Sequence, residues 1–112
     1  IRSTNGREHW MTREEIDKLV TEHKVVLFMK GNKQAPACGF SMKAVNILQI
    51  LDVQFETRDV LADSKLRENI KQYSEWPTIP QLYINGEFMG GCDIIVDMFH
   101  DKSLAEALDA KN

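Results

Sequence analysis

Only two cysteines, Cys38 and Cys92, occur in the 112 residues. Two are too few for the stapled framework of a small secreted domain, so an apolar core must hold the fold, and free thiols suit a reducing compartment. Apolar runs are short as well. None approaches the roughly 20 residues that cross a bilayer, which argues against a membrane partner. Positive charge is in deficit, 14 Lys and Arg against 17 Asp and Glu for a net charge of -3, and this argues against a broad nucleic-acid footprint. One scarcity is local. From His23 to Leu51 there is no Asp or Glu, while Lys24, Lys30, Lys33 and Lys43 share that stretch with Cys38.

What is present fits one small globular domain, with 43% apolar and 28% charged residues. The first eleven residues read as a flexible tail. Arg2, Ser3, Thr4 and Arg7 have the flavour of a transit peptide, but Glu8 breaks its acid-poor pattern. Residues 12–112 read as the domain. Thr12 with Glu15 three positions on predicts a capping box, followed by a helix with Ile16, Leu19 and Val20 inward to about His23. Val25 to Met29 is an unbroken apolar run of strand length, covered on both faces. Gly31 to Ala37 is a polar loop. Phe40, Ala44, Val45, Ile47, Leu48 and Leu51 then recur at helical spacing. Val53 to Arg58 alternates like a strand, and Asp63 or Ser64 caps a helix reaching about Tyr73. Gln81 to Ile84 and Glu87 to Met89 flank Asn85-Gly86, a hairpin signal. Asp93 starts a helix through Phe99, and Ser103 caps a last helix with Glu106 at its third position and Leu104, Ala107 and Leu108 inward.

A strand, crossover helix and strand imply a parallel pair, and the hairpin adds an antiparallel one. The expected fold is α/β and thioredoxin-like, a four-stranded mixed sheet flanked by helices on both faces.

Cys38 falls after a strand and loop, where a helix begins. Unpaired N–H groups and the positive end of the helix dipole favour an anion there, so the thiol should ionise readily and serve as nucleophile or metal ligand. The alternative is a small buried hydrophobe. A dithiol redox site reads C-x-x-C, whereas Cys38-Gly39-Phe40-Ser41 ends in a hydroxyl. Ser41 cannot resolve a mixed disulfide. It can cap the helix or donate to the thiolate.

Cys38-Gly39-Phe40-Ser41 resembles the active-site tetrapeptide of the monothiol glutaredoxins. Lys30-Gly31, Trp76-Pro77-Thr78-Ile79-Pro80-Gln81 and Gly90-Gly91-Cys92-Asp93 match that family in order and spacing, and the likeness runs from about Thr12 to Leu108. The resemblance implies a glutathione site. In it, Lys30 and Arg67 bind the glycine carboxylate and the backbone of Ile79 pairs with the tripeptide. The Cys92 and Asp93 amides, with the Asp93 carboxylate, hold the γ-glutamyl end. Phe40, Pro80 and Gly91 complete the set, with a cis bond at Ile79–Pro80. Read without the family, Arg67 is a surface charge, Asp93 a helix cap and Gly90-Gly91 a tight turn. Cys92 is either a small packing residue or a disulfide partner for Cys38.

The resemblance further implies a [2Fe–2S] cluster ligated by Cys38, shared with a second subunit in a homodimer and completed by two glutathiones. The cluster passes from scaffold to acceptor proteins, with a BolA-like protein as a further partner. The alternative activity is a glutathione-dependent thiol–disulfide oxidoreductase acting on glutathionylated proteins. The implied location is the mitochondrial matrix, with the cytoplasm as alternative.

Overall fold

The computed structural model describes residues 11–109; the remainder of the expected tail and the last three residues of the expected domain lie outside that range. Nine elements follow in order: α1 (Arg13–Glu22), β1 (Val25–Met29), α2 (Gly39–Ile50), β2 (Glu56–Asp59), α3 (Ser64–Ser74), β3 (Gln81–Ile84), β4 (Glu87–Gly90), α4 (Cys92–His100) and α5 (Ser103–Asp109). The strands form one sheet in the order β2-β1-β3-β4. β1 pairs parallel with β2, while β1–β3 and β3–β4 are antiparallel. The fold is the expected thioredoxin-like α/β sheet.

β1 explains why both faces are covered. Its five residues are all buried, and successive side chains point to opposite faces. Val25, Leu27 and Met29 pack with Ala44, Val45 and Leu48 of α2, Ile95 of α4 and Leu104 and Leu108 of α5. Val26 and Phe28 pack on the other face with Ile16 and Val20 of α1 and Leu66 and Ile70 of α3. One strand thereby seeds two cores, and the chain leaves its C-terminal end at Lys30, where the loop to Cys38 begins.

The capping box forms as read: Thr12 Oγ1 accepts from the Glu15 N–H at 3.2 Å, and Glu15 Oε1 accepts from the Thr12 N–H at 2.9 Å. Replacing a capping threonine with alanine orphans one of these donors, so Thr12→Ala should lower the unfolding free energy by about 1 kcal/mol. Urea unfolding of both proteins checks this; an unchanged midpoint would mean the box contributes nothing.

Three boundaries differ from the sequence reading, and at a fourth one of its two alternatives forms. β2 begins at Glu56, because the Val53 N–H is taken by Leu48 O in the turn closing α2. The cap of α3 is Asp63, whose Oδ1 accepts from the Leu66 N–H at 2.9 Å. α4 starts at Cys92 with Gly91 as a cap that offers no side chain, so Asp93 lies inside the first turn. Ser103 is the first residue of α5 rather than its cap. Asp101 Oδ1 accepts from its N–H at 2.8 Å and its hydroxyl at 2.6 Å, which moves Glu106 one position further in.

Candidate functional site

The loop between β1 and α2 doubles back on itself. Gly31 bridges Pro36, the Ala37 N–H donates to Lys30 O at 2.8 Å, and Asn32 Oδ1 accepts from the N–H groups of Gln34 and Ala35. Asp59, at the end of β2, fastens the loop from outside, its Oδ1 accepting from the Gly31 N–H at 2.9 Å and the Leu61 N–H at 2.8 Å. The sequence reading missed Asp59. Its only trace there is an acid at a strand end, and the 28 positions to Gly31 hide the contact.

This loop delivers Cys38 to the N-cap of α2, in extended backbone, with its sulfur accepting from the Ser41 N–H. The first turn holds no acidic side chain, so nothing there opposes an anion. Partial burial is the largest influence on the thiol and pushes it up. The Ser41 hydroxyl and N–H, the Phe40 N–H and the Lys30 ammonium together outweigh it, and the thiol ionises below its ordinary value. The surroundings are open. A side chain added at Gly39 would meet nothing within 4 Å, and Phe40 is 63% exposed. The buried-hydrophobe alternative therefore fails: Cys38 is half-buried, not sealed in the core.

Cys92, at the start of α4, is close enough to feel the charge on Cys38. Burial pushes its thiol up most; Lys43 lowers it, while Asp93 and Cys38 raise it further. Both cysteines are free, and their shifts are opposite. As pH falls from the ordinary thiol value, Cys92 is the first to take its proton and Cys38 stays ionised longer. Iodoacetamide at neutral pH should therefore label Cys38 before Cys92, with the preference fading as pH rises past both midpoints. Peptide mass spectrometry checks this, and equal labelling at neutral pH would contradict it.

The other expected site residues lie at the end of β1, on the segment before β3, on α3 and at the start of α4. Lys30 directly follows β1, half-buried, and acts on Cys38 through its charge. Ile79 and Pro80 are buried, and the bond between them is cis. Gly91 is pressed against that segment: a Cβ there would lie 3.0 Å from Trp76 Nε1 and 3.4 Å from Pro80 O. Asp93 is exposed in the first turn of α4. Arg67 is exposed on α3, and among the described residues no side chain pairs with its guanidinium. Lys43, which the sequence reading counted only as part of the basic stretch, reaches Cys92 electrostatically.

A glutaredoxin family model matches residues 25–89, from the start of β1 into β4 and across Cys38. The chain is 54% identical over 98 residues to a ycf64-like monothiol glutaredoxin of Synechocystis, covering 88% of this chain and 92% of that one. The chain belongs to the monothiol glutaredoxins. It is also 60% identical over 97 residues to the chloroplastic monothiol glutaredoxin-S7 of rice, covering 87% of this chain but only 58% of that protein's length. Among solved structures, the truncated monomeric mutant of 1-C-Grx1 from Trypanosoma brucei aligns with a TM-score of 0.83 at 39% identity, covering 92% of this chain and 94% of that one. The rice relative is chloroplastic and the Synechocystis one cyanobacterial, which does not fit the mitochondrial matrix expected from the sequence.

Proposed function

We propose that this monothiol glutaredoxin binds glutathione at Cys38 and carries [2Fe–2S] clusters to acceptor proteins. The observation that carries the reading is a readily ionised, half-buried cysteine at a helix start with a hydroxyl, not a second thiol, three positions on. Such a site is poor at closing an internal disulfide and well suited to sharing its sulfur with an outside partner.

The donor set fits a shared cluster. Four thiolates usually hold one. The chain has two cysteines, so one chain cannot supply four thiolates. Two copies of Cys38 and two glutathione thiolates can. Ligands that are not part of the protein exchange readily, as a carrier needs. In this reading Lys30 and Arg67 hold the glycine carboxylate and Ile79, beside Pro80, pairs with the tripeptide backbone. Gly91, Cys92 and Asp93 receive the γ-glutamyl end, and Phe40 borders the bound sulfur. A helix start behind two glycines favours an anion, and an arginine fork suits a carboxylate. The partners are a second copy of the chain, a cluster scaffold, acceptor proteins and a BolA-like protein. The relatives favour a plastid or cyanobacterial setting over a mitochondrial one.

Anaerobic reconstitution with iron, sulfide and glutathione should yield a brown dimer that returns to a colourless monomer when the cluster is chelated. A colourless monomer throughout would overturn the proposal.

The readily ionised thiol also supports a second reading, reduction of glutathionylated proteins. The Cys38 thiolate attacks the glutathione sulfur and the target leaves as its thiolate. A second glutathione then attacks the mixed disulfide, releasing glutathione disulfide and restoring Cys38. Turnover matching a dithiol glutaredoxin, without cluster uptake, would favour this reading.

A further inference from the structure

We infer that Ser41 is a positioning residue for the Cys38 sulfur rather than a placeholder for a missing second thiol. Ser41 is fully buried, so its hydroxyl must find its partners inside the protein. A hydroxyl has one proton to give and two lone pairs to accept with. The Lys30 N–H donates to Ser41 Oγ at 3.0 Å, which occupies one of its lone pairs. Cys38 Sγ, 3.4 Å away, is the other partner of that oxygen. The Cys38 S–H donates to it and takes its second lone pair. The Ser41 N–H donates to the same sulfur, also at 3.4 Å.

The Lys30 peptide fixes this arrangement from both sides. Its N–H holds Ser41, three positions after Cys38, and its carbonyl accepts from the N–H of Ala37, the residue just before. Lys30 directly follows the buried strand β1. The sulfur is thus registered to the end of the sheet through one buried hydroxyl. Rotation about the Cys38 Cα–Cβ bond would break both of its hydrogen bonds to Ser41. This inference rests on Cys38 being the reactive sulfur of the proposed function. It does not depend on whether that sulfur holds a cluster or a mixed disulfide.

NMR of the reduced chain tests it. In the unmodified protein the Cys38 Hα–Hβ couplings should report one rotamer, and the Lys30 amide should be protected from hydrogen exchange. In Ser41→Ala the couplings should average, and Lys30 exchange should rise by about tenfold or more, with the amide spectrum of β3 unchanged. Averaged couplings or an unprotected Lys30 amide in the unmodified chain would overturn the inference without any variant having to fold. So would a Ser41→Ala protein that keeps the single rotamer. Cluster uptake is read separately, by visible absorption. A brown protein with a freely rotating Cys38 removes this inference and leaves the carrier function; a colourless protein with a locked Cys38 does the reverse.

Discussion

Cys38→Ser should remain colourless and monomeric after anaerobic reconstitution and should form no mixed disulfide with glutathione, while Cys92→Ser should keep most of both properties. The loss should be complete rather than graded. A serine hydroxyl does not ionise near neutral pH, and its oxygen is a poor substitute for the soft thiolate that iron–sulfur clusters take as ligand. The usual objection, that an inactive variant has simply unfolded, is answered by where the residue sits. Cys38 is the N-cap of α2, and its sulfur already accepts from the Ser41 N–H. Serine is among the preferred residues at an N-cap, and its oxygen accepts a shorter and stronger hydrogen bond than sulfur does. The substitution should therefore leave the melting temperature equal or slightly higher, so that loss of binding and gain of stability appear in one protein. Cys92 offers no comparable substitute, because burial and the nearby negative charges hold its thiol above the ordinary value. Visible absorption, size-exclusion chromatography and thermal unfolding of the two variants side by side check this. Colour retained in Cys38→Ser and lost in Cys92→Ser would transfer the role from one cysteine to the other.

What the sequence made legible follows from how far along the chain each contact reaches. The capping box of α1 spans Thr12 to Glu15 and formed as read. The hairpin also formed, with Asn85 at φ 54 and Gly86 at φ 81, the paired left-handed conformation that Asn-Gly favours in two-residue turns. β1 was readable because an apolar run of five can be stable only if both faces are covered. Misreadings occurred where a residue was committed to a neighbour outside its own pattern. Val53 to Phe55 alternate as a strand should, and Phe55 is indeed buried. Yet Asp52 turns left-handed at φ 59 and the Val53 N–H bonds back to α2, so pairing with β1 waits until Glu56 meets Val26. Ser103 looked like a cap by residue type, but Asp101 does the capping. At the site, the Cys38–Ser41 contact lies within one helical turn and was readable as a possibility. The Lys30 amide on Ser41 and the Asp59 carboxylate on Gly31 connect distant positions, and no local pattern encodes them.

The Gly31–Asp59 link leads to the second large effect, in which Gly31→Ala should cost about 3 kcal/mol of stability and weaken the preference of iodoacetamide for Cys38. Two penalties combine. Gly31 has φ +86, a conformation that alanine adopts only at a cost, and a Cβ there would lie 2.5 Å from Ala35 O and 2.6 Å from Ala37 N. Those are backbone atoms, so no side chain can rotate away, and the loop must open. Opening it pulls on the Ala37–Lys30 hydrogen bond and moves the residue just before Cys38. Gly86 separates the penalties. Its φ of +81 is nearly the same, but its added Cβ would find its nearest neighbours at 3.6 and 3.7 Å, ordinary contact distances. Gly86→Ala should therefore cost only the backbone term, about 1 kcal/mol, and leave Cys38 labelling untouched. Equal losses in urea unfolding of the two variants would show that the crowding at Gly31 is relieved cheaply. A Gly31→Ala protein with undiminished Cys38 selectivity would show that the loop does not place the sulfur. The glycine next to Lys30 is thus constrained less by flexibility than by the space left where the loop closes on itself, and that closure presents Cys38 at the head of α2.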